Sequence, residues 1–415
     1  MAIIEQEAPK NLSYYIRRRF VQNKPAVVGL CIIVFAILVA ILGYLIMPDQ
    51  TPDANDGDIS IGKKKEGFTT QFIKFHRQVD VPKNNFLVRM FVGQDTEYEI
   101  KAISKYVING YDVEYYDSKN NKYHKHLLPI IKPLFVGKST KLPPKEGFTS
   151  NYRVNGEEVT YLDPEENIQK TTREALLKDF NEKNIETRTY VLGTETAGRD
   201  MLSCLILGTR ISLGIGFVSV IISLVIGLTL GSMAGYFGGW VDNLVMWVMT
   251  VVWSIPNIML VITISVALQS RGIWVVFVAV GLTTWVEIAR VVRGQIMEIR
   301  QKQYVEAARA MGVGHYGIIT RHILPNILGQ IIVVASANFA SAILTEAGLS
   351  FLGLGVEVPT PSWGMMIREG YKHIGIAGNN HLLLYPSVCI SVMVLAFNLL
   401  GNGLRDAYDP KTLVK

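Results

Sequence analysis

Few residues of this 415-residue chain stand at spacings that covalent chemistry requires. The seven histidines are scattered, with no HExxH pair and no Cys/His cluster to hold a catalytic zinc. Cys31, Cys204 and Cys389 lie within or beside apolar runs. Their odd number and wide spacing make them apolar fillers, not disulfides or metal ligands. Gly137-Lys138-Ser139-Thr140 has the closing letters of a phosphate-binding loop. That loop needs a glycine five residues before Gly137, where Lys132 stands, and Pro129 and Pro133 spoil the preceding strand or helix. Nucleotide binding there is rejected. Ser, His and Asp form no recognisable motif, so no metal site and no catalytic residue is assigned.

Two acids stand out by position. An ionisable group at membrane depth costs several kcal/mol unless it is paired, so each such group is a functional candidate. Glu287 lies three residues before Arg290, which favours a local ion pair. Glu346 lies near the outer end of an apolar run. It either faces a cavity or holds an outer gate, or serves as a structural partner of Arg199 or Arg210. Pro256, inside another apolar run, removes a backbone hydrogen bond. It is either a packing kink or a gating hinge.

The richest stretch is Tyr304–Asn326, YVEAARAMGVGHYGIITRHILPN, polar and basic between two apolar runs. Tyr304 to Met311 is predicted to make about two helical turns, stopped by Gly312 and Gly314. Tyr304, Ala308 and Met311 share one face at i, i+4, i+7 spacing. Ala307, Ala308 and Ala310 leave room for a close-approaching surface. Glu306 sits in the first turn, where the helix dipole favours an acid, and Arg309 is placed to pair with it at i+3. His315 and His322 read as interfacial polar residues. On residues alone, this helix either receives another protein or lies on lipid headgroups.

At these residues the chain resembles a known family. Glu306-Ala307-Ala308, Gly312 and Ile323-Leu324-Pro325 are similar to the coupling loop of ABC-importer permeases. Gly193–Gly216, Ala234–Asp242, Ala289–Gln295, Glu346–Gly364 and Leu395–Pro410 resemble the C-type subunit of the dipeptide/oligopeptide branch. The resemblance is loose over 10–47, close over 190–412, and does not reach 48–189. It implies a permease subunit that forms half of a translocation path for di- or oligopeptides. Tyr304, Glu306, Ala307, Ala308, Arg309, Met311 and Gly312 would dock into an ATPase subunit. The implied partners are a second permease, two ATPases carrying ATP and Mg, an extracytoplasmic binding protein and the bilayer. This chain itself would bind no cofactor and no nucleic acid. The same architecture carrying another cargo, such as nickel chelates, is a rival. A membrane-anchored sensor using 48–189 is a rival from another class, against which the clustered spans and the 304–326 loop weigh.

The elements that must position these residues are mostly membrane spans. The chain is 49% hydrophobic and 18% charged, against about 25% charged in soluble domains. Its net charge of +6 comes from basic residues beside apolar runs, which fits membrane topology better than nucleic acid. Residues 1–25 form a cytoplasmic segment, by their basic residues Lys10, Arg17, Arg18, Arg19 and Lys24. Residues 26–47 form a first span, too long for a signal-peptide core. Residues 48–205 follow as an extracytoplasmic insert of small α+β type plus the lead into the second span. Residues 206–403 hold five further spans and the coupling loop 303–326, and residues 404–415 are a cytoplasmic tail. This is a polytopic α-helical protein of the type I ABC-importer kind, in a bacterial inner membrane, with six spans and both termini inside.

The expected spans after the first are 211–233, 244–268 (containing Pro256), 273–292, 327–349 and 382–400. Gly227, Gly231 and Gly235 make a small-residue stripe for close helix packing in lipid. Residues 350–380, broken by Pro359, Pro361 and several glycines, suit a partly re-entrant outer segment. In the insert, Asn109-Gly110 and Asn155-Gly156 predict hairpins with type I′ turns. Asn85–Val92 is expected as a strand. Ile168–Phe180 is expected as a helix with Ala175, Leu176 and Phe180 inward.

Overall fold

The computed structural model describes residues 12–79, 81–135, 142, 151–269, 272–408. Residues 137–140, Lys10, Lys411 and Lys415, which entered the expectations above, lie outside the described residues. The helices are α1 (Leu12–Gln22), α2 (Lys24–Ile46), α3 (Phe86–Val92), α4 (Leu127–Ile131), α5 (Arg173–Asp179), α6 (Met201–Phe237) and α7 (Gly239–Ser254). They continue with α8 (Asn257–Ala267), α9 (Ile273–Ile299), α10 (Gln303–Ala310), α11 (His315–Gly317), α12 (Leu324–Phe351), α13 (Trp363–Tyr371) and α14 (His381–Tyr408). The strands are β1 (Phe68–His76), β2 (Tyr98–Asn109), β3 (Asp112–Asp117), β4 (Lys122–His126), β5 (Tyr152–Asn155), β6 (Glu158–Leu162), β7 (Ile168–Thr172) and β8 (Ile185–Tyr190). Two compact units result: Met1–Ala40, Gly208–Arg368 and Tyr385–Lys415 form one, Ile41–Leu207 and Glu369–Leu384 the other.

In the first unit the apolar helices dominate. Among the described residues five helical stretches are long and apolar enough to cross a membrane: Lys24–Ile46, Met201–Phe237, Ile273–Ile299, His315–Phe351 and His381–Tyr408. α7 and α8 together pass the same test but meet at 93°. The expected continuous span over 244–268 is therefore two helices. Pro256 ends the first helix instead of kinking it, because a residue before proline is driven to extended backbone. Ile255 adopts φ −90°, ψ 130°, and Pro256 becomes the cap of α8.

The glycine stripe of α6 lies against α9. A Cβ on Gly227 would come 2.7 Å from the Ile288 side chain, on Gly231 2.6 Å from the Ala289 carbonyl, and on Gly235 2.8 Å from the Arg293 carbonyl. Hydroxyls reinforce the same seam. Ser219 and Ser223 donate to the carbonyls of Phe277 (3.2 Å) and Gly281 (2.9 Å), and Ser223 also bonds the Thr284 hydroxyl at 2.5 Å. In lipid no water competes for these groups, and close backbones replace the hydrophobic drive between helices.

The second unit is built on antiparallel sheets of five strands, β4-β3-β2-β1-β8, and three strands, β5-β6-β7. One apolar cluster joins Ile73, Phe75 and Val113 to Leu127, Leu128, Leu176 and Phe180. A second joins Phe72, Ile100 and Ala102 to Ile61 and Tyr190. Burial pushes the carboxyl of Asp56 up, against the charge of Arg188 at 2.8 Å. Both Asn-Gly pairs mark hairpins, with the turn one residue later than a I′ turn would have it. Asn109 pairs with Asp112 and Asn155 with Glu158. The turn pairs are thus Gly110-Tyr111 and Gly156-Glu157, with positive φ at the glycines alone. A glycine first in a two-residue turn is the II′ arrangement.

Two further expectations for this unit fail. Asn85–Val92 is a helix, because the Asn85 side chain accepts from Val88 N at 2.9 Å and caps it. Ile168–Phe180 splits: 168–172 is strand β7, paired along β6, and the helix starts at Arg173 under the Thr172 cap. Leu176 and Phe180 do turn inward, but Ala175 is exposed.

Candidate functional site: the loop between α9 and α12

α10 forms where expected and ends at Met311, whose N–H reaches the Ala307 carbonyl at 2.9 Å. Gly312 takes φ +80°, and Val313 N–H closes onto the Ala308 carbonyl at 3.1 Å. Glycine permits this left-handed exit at little cost. The chain re-enters helix at α11, passes through a π-helical stretch (Ile318–Ile323), and continues as α12 with Pro325 in its first turn.

The face assignment differs from expectation. Ala308 is buried together with Val305, Ile318, Ile323 and Ile327. The i, i+3 pair Val305/Ala308 points inward, and it displaces the i, i+4, i+7 set. Tyr304 and Met311 instead face outward, Met311 with 75% exposure, beside the exposed Glu306, Ala307 and Ala310. Ala308 therefore seats the helix, while Tyr304, Glu306, Ala307 and Met311 present its outer surface. Arg309 does not pair with Glu306. Its guanidinium lies over the Tyr236 ring, 5.9 Å from the centroid. Among the described residues Glu306 makes no ion pair.

Further residues fix the loop, and sequence reasoning missed them. The Tyr236 hydroxyl and His315 Nδ1 are hydrogen-bonded at 2.9 Å. Arg300 donates to the carbonyls of Gly235 and Tyr236 at 3.0 and 3.1 Å, satisfying the C-terminal end of α6. Arg293 grips Asp242 through two bonds of 2.5 and 2.7 Å. Arg290 stacks over Trp253, 3.8 Å from the ring centroid, and no ion pair joins it to Glu287. The acid Asp242, at the end of the Gly238-Gly239-containing segment Ala234–Asp242, and the arginines Arg290, Arg293 and Arg300 were the signal available.

Glu346 forms a second polar centre in this unit. It is fully buried on α12. Ser350 donates to one carboxylate oxygen at 2.7 Å, Ser212 of α6 reaches the other at 3.4 Å, and Ser362, just before α13, adds a third hydrogen bond. Neither Arg199 nor Arg210 is its partner. Arg199 pairs with Glu195 at 2.5 Å and with the Asp53 carbonyl at 2.9 Å. Hydroxyls supply the hydrogen bonds that a buried carboxylate requires. Among the described residues, no group of three or more His, Cys, Asp or Glu side chains is placed to hold a metal ion.

Comparison with known proteins places this arrangement. Residues 227–414 match the family described as binding-protein-dependent transport system inner membrane component, and residues 12–60 match the N-terminal TM domain of oligopeptide transport permease C. The glutathione transport system permease protein GsiD of Pectobacterium atrosepticum is 44% identical over 220 residues, 53% of this chain and 72% of that protein. The oligopeptide transport system permease protein OppC of Escherichia coli is 42% identical over 222 residues, 54% of this chain and 72% of that protein. The dipeptide transport system permease protein DppC of Bacillus subtilis is 40% identical over 219 residues, 53% and 68% of the two chains. With its apolar helices and the loop between α9 and α12, the chain belongs to the binding-protein-dependent inner-membrane permeases of ABC importers, in the branch that contains the C-type oligopeptide and dipeptide permeases.

Proposed function

We propose that this chain is one of two permease subunits of an ATP-driven importer whose cargo is peptides. Three relatives named for glutathione, oligopeptide and dipeptide transport support the cargo class. The observation that carries the mechanism is the division of α10. One face, Val305 and Ala308, is locked into the apolar core, and the other, Tyr304, Glu306, Ala307 and Met311, is left open. Such a helix moves as part of its own subunit while offering a surface to a second protein. Glu306 pairs a basic residue of an ATPase there, and Gly312 lets the chain turn away. ATP and Mg bind on two such ATPase subunits, and this chain binds no cofactor. Their closure on ATP shifts the permease pair between inward- and outward-open states, a population shift driven by differential affinity. Residues 48–205 face outward, both termini face the cytoplasm, and a binding protein delivers cargo to the outer side.

The test is purification from the native membrane in gentle detergent, followed by identification of everything that copurifies. Two ATPases and a second permease are expected, with ATP-dependent peptide uptake after reconstitution. A chain that purifies alone or with a signalling protein sinks the importer reading. Uptake of a metal chelate in place of peptides sinks the cargo alone.

A further inference from the structure

We propose that α3 of the insert lies in the bilayer interface beside the first span, with its apolar side chains among the lipids. The helix reads FLVRMFV and has no buried residue. Phe86 and Leu87 are 66% and 65% exposed, Phe91 and Val92 52% and 53%. A seven-residue helix is too short to persist in water on its own propensity, since isolated helices need about 12–15 residues. Stability in proteins comes from covering an apolar face, and among the described residues the clusters around Phe75 and around Phe72 do not include α3. Exposed apolar residues in a contiguous group mark a partner or a membrane.

The identity of that partner follows from where α3 is tied. Its C-terminal glycine, Gly93, lies against the Tyr44 ring, in the last turn of α2. A Cβ at Gly93 would come 2.8 Å from Tyr44 Cε1 and 2.7 Å from the Gln50 carbonyl. Gln94 N–H donates to that same carbonyl at 2.9 Å, and Arg89 hydrogen-bonds the Gln50 side chain. α3 is therefore anchored at the level where the first span leaves the hydrocarbon. Ile41, Leu42 and Ile46, in the last turns of α2 around Tyr44, are themselves exposed apolar residues. Arg89 supplies a cation in the middle of the helix and Lys83, exposed and 3.4 Å from Glu97, another just before its cap; long basic side chains reach headgroups while their stems stay among lipid. A soluble partner would give no reason for the helix to be fixed to the end of a span.

The experiment uses the full chain in sealed proteoliposomes. Cys31→Ser removes the one exposed thiol among the described cysteines. Nitroxide labels are then placed by Leu87→Cys, Phe91→Cys and, as an aqueous reference in the turn after β3, Lys119→Cys. At Leu87 and Phe91 oxygen should relax the label more than a water-soluble nickel chelate does, with the order reversed at Lys119. Labels at Leu87 and Phe91 that behave like the one at Lys119 overturn the proposal. So does exclusion of both reagents, which means that protein covers the helix. The proposal stands apart from the cargo. It rests on the outward placement of 48–205 only for the choice of leaflet, and access of externally added chelate to Lys119 reads that placement separately.

Discussion

The Tyr236 hydroxyl and His315 Nδ1 stand 2.9 Å apart, joining the last turn of α6 to the chain just past α10. With Arg309 over the face of the same ring, Tyr236 receives both sides of the loop. Tyr236→Phe keeps the ring and removes the hydrogen bond, worth about 1 kcal/mol or roughly fivefold in an equilibrium. We expect the variant to assemble normally and to lose several-fold in cargo-stimulated ATP hydrolysis relative to basal hydrolysis. The two rates, measured on the reconstituted complex, check this. Equal stimulation in variant and wild type would remove Tyr236 from the coupling route.

The two adjacent alanines of α10 should separate seating from docking. Ala308 is buried among Val305, Ile318 and Ile323, so Ala308→Leu overpacks the core by about 1–3 kcal/mol. It should lower the thermal stability of the permease itself. Ala307 is exposed, so Ala307→Leu should leave that stability unchanged and reduce ATPase copurification. Glu306→Lys should abolish transport at normal membrane levels. Wild-type transport in that variant would dismiss Glu306 as a docking contact.

The α6–α9 seam makes a sharper structural prediction. A Cβ on Gly231 would meet backbone atoms of Ala289, its carbonyl oxygen at 2.6 Å, which cannot rotate aside. Gly231→Leu should leave little monodisperse protein on size exclusion after detergent extraction. Gly214, on the same helix, has nothing within 4 Å of a Cβ, so Gly214→Ala should extract like wild type.

What the sequence made legible was whatever rests on long runs and strong punctuation. Apolar length located the helices, and Gly312 located the end of α10. Short-range competition was harder to read. Val305/Ala308 and Tyr304/Ala308/Met311 are both helical patterns, and only the presence of Ile318 and Ile323 beneath the helix decides between them. Phe86–Val92 carries residues common in strands, and the single Asn85 cap overrides them. Pro256 looks alike in sequence as a kink or as a break, and the extended Ile255 settles it as a break. The arginine contacts of Arg293 and Arg300 lie 51 to 65 residues from their partners, beyond any periodicity.

Glu346 yields the last prediction. Its carboxylate ties α6 through Ser212, its own helix through Ser350, and the segment before α13 through Ser362. All three hydroxyls point at one buried group, so removing it takes the acceptor from three donors at once, with only Ser362, among the described residues, keeping a further bond, from Met365 N–H at 3.2 Å. An unsatisfied buried hydroxyl costs about 1–3 kcal/mol. Glu346→Leu should therefore lower the yield of folded protein sharply. Glu346→Gln keeps an acceptor oxygen for the hydroxyls and should preserve much of that yield. If the group is a structural tie, the Gln variant also transports the wild-type range of cargo, because a side chain with no exposed surface in this chain touches none of it. Uptake competition with a panel of peptides of different charge measures that range. A narrowed or shifted range in a well-folded Gln variant would assign Glu346 to the transport cavity and withdraw the structural role argued here.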